Sequence, residues 1–228
     1  MLEYTQKIEE LYEDIQKRIF YMIPEKWDKL YLYASVTESL GNVETGELYF
    51  YYEPKGILRK NFVNVYEIPS KFNLDEKEYM KLVEALYNKI KELRREFKKI
   101  QNNEKLWTNL TISIKNMKFK IEYNYDDFKK SKFNSYDRHI IWRYEYLEMD
   151  IDRFNKEEKE TLKEYLETPK EQTKKEYYEC NIYIKNIKNI VDFETEDYEE
   201  AKNIEEFDGN VEDNLKNQIL NYKNKSEV

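Results

Sequence analysis

Residues 107–127 read WTNLTISIKNMKFKIEYNYDD. Leu110, Ile112 and Ile114 alternate there with Asn109, Thr111 and Ser113. The alternation resumes with Met117, Phe119, Ile121, Tyr123 and Tyr125 on one side and Lys118, Lys120, Glu122 and Asn124 on the other. A period of two is the signature of a strand, because successive side chains point to opposite faces. Lys115-Asn116 between the two runs fits a tight turn, so the stretch predicts a hairpin. Two faces of such different polarity imply an antiparallel sheet with one side covered.

Upstream, KLYLYASV (29–36) places Leu30, Leu32, Ala34 and Val36 opposite Tyr31, Tyr33 and Ser35. ELYFYY (47–52) alternates again through Leu48, Phe50 and Tyr52, and Pro54 and Gly56 break the run. Gly41-Asn42 and Thr45-Gly46 supply turns between them, and a weaker strand is expected over 61–66. Helical spacing frames these strands. Ile8, Leu11, Tyr12, Ile15, Ile19 and Met22 form one apolar stripe that Pro24 ends. Leu82, Val83, Leu86, Ile90, Leu93, Phe97 and Ile100 form a second, in a helix over 73–101 capped by Asn73 with Glu76 at the third position. Shorter helices are expected at 135–148, capped by Ser135, and at 155–167, capped by Asn155 with Glu158 behind it. After Pro169 the texture turns to Lys, Glu and Asn, with a short strand expected at 181–185. The order argues α+β: an antiparallel sheet of about five strands with helices packed on one face, over residues 1–168, and an acidic extension over 169–228.

The 228 residues include one Cys, one His and four Gly. One cysteine cannot close an internal disulfide, and one Cys with one His cannot build a Cys/His zinc cage. Four scattered glycines make no phosphate-binding loop. The longest apolar run, Ile19 to Ile23, is far too short for a membrane span, and MLEYTQKIEE lacks the form of a signal peptide. The expectation is a cytoplasmic protein with no membrane association, no cofactor and no metal.

The formal charge is −8, and its distribution is uneven. Residues 194–213, ETEDYEEAKNIEEFDGNVED, hold ten acids and one base. A strip like this attracts basic partners, or it is simply a solvated tail; Tyr198, Ile204 and Phe207 give it a thin apolar edge. Lys89, Lys91, Arg94, Arg95, Lys98 and Lys99 read as a solvated helix face, so no nucleic-acid binding is expected.

Five blocks occur in order: IPEKWDKLYLYA (23–34), GELYFYYEPKG (46–56), WTNLTISI (107–114), FKIEYNYDD (119–127) and RHIIWRYEYL (138–147). Together they resemble the YezG/EsaG family of antitoxins, over roughly residues 5–167. The resemblance implies an α+β immunity protein, not an enzyme. Its partner would be the C-terminal nuclease domain of a cognate toxin secreted by a type VII system. A nuclease grips phosphate with Lys and Arg, and an inhibitor can offer carboxylates in place of phosphate and aromatic anchors at the centre. On that reading the partner-binding candidates are Asp126, Asp127 and Tyr125 at the end of the hairpin, Glu38, Glu44 and Glu47 in the preceding loop, and the tyrosines Tyr31, Tyr33, Tyr49 and Tyr51.

Each candidate has a plainer reading. Tyr123 and Tyr125 would be core, with Asp126 or Asp127 capping a turn. The four tyrosines of the first two strands are core if helices cover their face and an exposed aromatic patch if not. Trp107 and Trp142 read as core, His139 as a surface or capping residue, and Cys180 as an incidental thiol. The alternative to an antitoxin is an interaction or scaffold module with no nuclease target. A hydrolase using paired carboxylates would need a pocket in which two of them converge.

Overall fold

The computed structural model describes residues 5–38, 43–56, 61–100, 105–116, 118–169, 174–181 and 219. The first helix, α1 (Gln6–Met22), is capped by Thr5, whose side chain accepts from the Ile8 amide at 3.4 Å. Its stripe from Ile8 to Met22 is buried as the spacing requires. The chain then enters β1 (Trp27–Ser35), which becomes the centre of the molecule. A small hairpin, β2 (Thr37–Glu38) and β3 (Glu44–Thr45), leads into β4 (Leu48–Pro54). After β5 (Val63–Asn64) and a single 3₁₀ turn come α2 (Ile68–Phe72) and the long α3 (Glu76–Ile100). The predicted hairpin follows as β6 (Asn109–Lys115) and β7 (Lys118–Asn124), with Asn116 in the left-handed region at φ 50°. Then come α4 (Ser135–Tyr146), α5 (Lys156–Glu167) and β8 (Lys175–Asn181).

The sheet is six-stranded and antiparallel throughout, in the order β5-β4-β1-β6-β7-β8. Its register aligns the apolar positions into rows. Leu32 lies between Phe50 and Ile112, and Ile112 is opposite Ile121. Tyr31 is opposite Tyr51 and Tyr33 opposite Tyr49 on the other face. A one-residue slip would put every one of these side chains on the wrong side, so the pattern fixes the pairing.

The aliphatic face packs against α1 and α3 to make the main core. Each large side chain buried there contributes about 1.5–3 kcal/mol relative to exposure. Several phenols inside it are paired: Tyr12 and Tyr123 share a hydrogen bond at 2.9 Å, and Tyr79 donates to the Met22 carbonyl at 2.9 Å. The tyrosine face is covered as well. Trp142 and Leu147, from α4 and its end, close over Tyr31, Tyr33 and Tyr51 to form a second core. Ile140, Phe154 and Leu162 join α4 to α5 behind it. Helices therefore lie on both faces, and the sheet has one strand more than the sequence suggested.

Several local expectations shift. Asn73 does not cap α3; it ends α2 in the left-handed conformation, and the Asp75 carboxylate accepts from the Glu78 amide at 2.9 Å to cap α3 instead. Asn134 caps α4 in a reciprocal box with Asp137, one residue before the expected Ser135. Asn155 and Glu158 form the expected box on α5. The weak strand at 61–66 shrinks to two residues before the 3₁₀ turn.

The late strand falls at 175–181, earlier than predicted, and it pairs with β7 along its whole length. Tyr178 and Cys180 pack against the main core, and Ile219 is fully buried in it. The acidic strip at 194–213, the Gly41-Asn42 turn and Met117 lie outside the described residues.

Candidate partner-binding surface

The β2–β3 hairpin lies against α3 through charge. Glu38 accepts from Arg94 at 2.8 Å and from Lys98 at 3.0 Å. Glu44 accepts from Arg95 at 2.9 and 2.5 Å. The hydrogen bonds from Lys98 and Arg94 hold the Glu38 carboxyl below its usual range. Both carboxylates already have cationic partners within the chain, so neither presents a bare charge. Arg94 is itself buried and donates to the Trp107 carbonyl at 3.0 Å. It is an internal tether, not part of the solvated cationic face expected from its spacing.

Tyr31, Tyr33 and Tyr51 are core residues under α4, each less than a tenth exposed. The covered-face reading holds for them, and their rings do not form an exposed patch. The Tyr51 hydroxyl meets His139 Nε2 at 2.9 Å, and burial pushes this phenol up to about 12. His139 stacks flat on Tyr49 with ring centroids 3.6 Å apart. Burial lowers its pKa to about 4, with the Arg143 charge adding to the effect. The histidine expected at the surface is thus a neutral member of the second core. Trp142 donates to the Thr111 hydroxyl at 3.0 Å, and Tyr146 to Glu122 at 2.8 Å.

At the end of β7, Tyr125 is buried and donates to Glu176 of β8. Asp126 accepts from the Asn109 side chain at 2.8 Å. Asp127 accepts from the Lys129 amide at 3.2 Å and so caps the turn after the strand. Of the three, Asp127 is the most open to solvent.

Glu47 and Tyr49 belong to a different feature. Gly46 brings the chain so close to β1 that a Cβ there would stand 1.9 Å from the Ser35 carbonyl oxygen. The same oxygen accepts from the Tyr87 hydroxyl at 2.9 Å, which ties β1 to α3. Between this junction and the first turns of α3 runs an open groove of about 640 Å³. Leu48, Tyr49, Val83 and Tyr87 line it, with Tyr66 and Met80 more exposed and the ionisable Glu47, Lys77, Lys81 and Glu84 around them. Glu47 Oε2 is buried, and the Glu47 carboxylate lies beside the Tyr49 hydroxyl. Its charge contributes to the raised pKa values of Tyr87, pushed up to about 12 chiefly by burial, and of Tyr49.

A family model described as "Immunity protein YezG-like" matches residues 8–166. The chain belongs to the YezG-like immunity protein family. It is 34% identical to Immunity protein YezG of Bacillus spizizenii over 165 residues, covering 72% of this chain and 96% of that protein. It is 32% identical to Immunity protein YezG of Bacillus subtilis over 141 residues, covering 61% and 87% of the two chains. It is 26% identical to the type VII secretion system protein EsaG of Staphylococcus aureus over 144 residues, covering 63% and 83%.

The YezG-like match runs from the first turn of α1 to the last turn of α5 and takes in seven of the strands, but ends before β8. Within it, the groove residues Tyr66, Met80 and Tyr87 are not among the candidates that the sequence singles out. Met80 and Tyr87 stand three and four residues from Val83 of the main stripe, and so widen the apolar line of α3 on one side. That line was the available signal. Tyr66 gave none, because the short 3₁₀ turn that places it has no periodicity.

Proposed function

We propose that this protein is an antitoxin that binds and inhibits the C-terminal nuclease domain of a cognate toxin secreted by a type VII system, acting in the cytoplasm of the producing cell. The observation that carries the reading is family membership across α1 to α5, with relatives named as immunity proteins and as a type VII secretion system protein. Inhibition is by binding and involves no covalent chemistry. A nuclease cleft is lined with cations that hold phosphate, and an acidic, aromatic surface competes for them. Asp127, Glu47 and Tyr49 are the expected site residues that reach such a surface, whereas Tyr31, Tyr33, Tyr51 and Tyr125 support it from beneath. Glu38, Glu44 and Asp126 shape the loops that carry it.

The test uses the C-terminal domain of the toxin encoded nearest this gene. Its nuclease activity is measured with and without one equivalent of this protein. Stoichiometric loss of activity, with a complex that survives sizing chromatography, is the expected result. Full activity and no complex would overturn the pairing.

A further inference from the structure

We propose that β8 is a self-association edge: two copies of this chain pair antiparallel through it, with Tyr177 on the two-fold axis, and join their sheets into one. The proposal stands apart from the antitoxin reading. β8 also lies beyond the residues that match the family model.

The edge itself is the first support. An edge strand turns a row of N–H and C=O groups outward, and proteins blunt such rows by keeping the strand short. β5, at one side of the sheet, is two residues long. β8, at the other side, has seven residues, no proline and an unbroken register with β7. Among the described residues no strand lies beyond it.

The second support is a charge pattern that complements itself. Lys175, Tyr177 and Glu179 share the face of the sheet opposite the main core, since Tyr178 and Cys180 point into that core. In an antiparallel pair centred on Tyr177, Lys175 of each copy stands directly opposite Glu179 of the other, and opposite charges so placed attract. Within the chain Lys175 holds Glu122 at 2.5 Å and Glu179 holds Lys118 at 2.8 Å. Both side chains remain open to solvent, at 41% and 48%, and an ammonium or a carboxylate serves more than one partner. The result is a line of alternating sign across the junction: Lys118 and Glu179 of one copy, then Lys175 and Glu122 of the other. Centring the pair on Tyr178 instead would set Lys175 against Asn181 and Tyr177 against Glu179, and both ion pairs would be lost.

The third is Tyr177, which is 53% exposed. Lys120 lies over its ring at 4.6 Å from the centroid, and the ring would meet its own copy on the axis. Aromatic cross-strand pairs are among the favourable ones. A two-fold axis uses the same patch on both subunits, which is the arrangement a self-complementary strand fits.

The experiment measures the mass of the full-length protein in solution at low salt, by sedimentation equilibrium from low to high micromolar concentration. The expected mass rises with concentration towards twice the 28.3 kDa of the chain. Glu179→Lys and Lys175→Glu each set like charges opposite one another twice in the homodimer, and each should weaken it about tenfold or more. Mixing the two variants restores both ion pairs in the heterodimer, so the mixture should associate where neither variant does alone. That recovery also shows that each variant is folded. Tyr136→Lys, at a similarly exposed tyrosine on α4, should leave the association unchanged. A wild-type chain that stays monomeric throughout overturns the proposal, whether the edge is idle or taken by another protein. A dimer indifferent to both charge reversals overturns β8 as its interface, and a mixture that fails to associate overturns the pairing about Tyr177. None of these outcomes touches the antitoxin reading, because no toxin is present.

Discussion

The ring of Tyr178 stacks on that of Tyr12 with centroids 4.2 Å apart and planes 29° from parallel. Tyr12 lies in the first helix and Tyr178 in the last described strand, so this contact joins the two ends of the fold. Around it, Lys175 pairs with Glu122 at 2.5 Å, Lys118 with Glu179 at 2.8 Å, and Tyr125 with Glu176. Tyr178→Ala should cost about 2 kcal/mol, because the stacked ring is partly buried and its removal opens the edge of the main core. Deleting residues 170–228 removes β8 and Ile219 together and should lower the melting temperature by more than the point change does. It should also weaken protection against the toxin. Thermal denaturation of both variants checks the first statement, and the nuclease assay the second; an unchanged melting temperature after the deletion would show that β8 contributes nothing to stability.

His139 gives the second core a pH dependence with a definite sign. Its pKa in the folded chain is lowered to about 4 by burial, against about 6.5 unfolded. The unfolded chain therefore binds a proton more readily between those values. Stability is complete above pH 6.5 and declines as the pH falls towards 4, by about 2 kcal/mol once its partial exposure is allowed for. Glu38 and Glu158 have lowered pKa values, so their contributions are lost at lower pH, below the ordinary carboxylate range. Comparing wild type with His139→Gln between pH 7 and 4.5 isolates the histidine. The wild type should lose stability over that window and the variant should not.

Arg94 supports the hairpin beside the groove from underneath. Replacing it with Met removes its bonds to Glu38 and to the Trp107 carbonyl, leaving that carbonyl buried and unpaired. The expected cost is about 2–3 kcal/mol. Glu38→Gln should cost less, about 1 kcal/mol, since Glu38 is partly exposed to solvent. A double-mutant cycle in denaturant would show the two to be coupled; strict additivity would contradict the tether.

If carboxylates steer the encounter with a basic toxin domain, the association rate should fall steeply as ionic strength rises from 50 to 500 mM (about 14 to 4 Å in screening length), with the dissociation rate changing less. Stopped-flow mixing reads this directly. An association rate flat with salt would remove electrostatic steering.

Much of this architecture was legible beforehand, for reasons visible in particular residues. Leu110, Ile112, Ile114, Phe119 and Ile121 alternate cleanly because one face of β6 and β7 is wet or polar, and a two-residue period survives only where the faces differ. The tyrosine face of β1 and β4 resisted reading because tyrosine suits both a core and a surface, and only the arrival of Trp142 from a distant helix decides between them. Glu38 and Glu44 looked free because their cations are some fifty residues or more away along the chain. The groove was hidden for a similar reason: Gly46, Tyr66 and Met80 come together only when β4 and α3 pack. Local chemistry predicts elements, and it is silent about which elements will share a wall.

Gly46 sets that wall by having no side chain. The Ser35 carbonyl, the Tyr87 hydroxyl and the glycine backbone meet where a single methyl group would force them apart. The floor of the groove is thereby fixed before any partner arrives, and a ligand settling on it has little backbone order left to impose. Affinity at such a surface is governed by how well the incoming side chains match a shape already cast, so a partner could be exchanged by redrawing the rim while the glycine stays where it is.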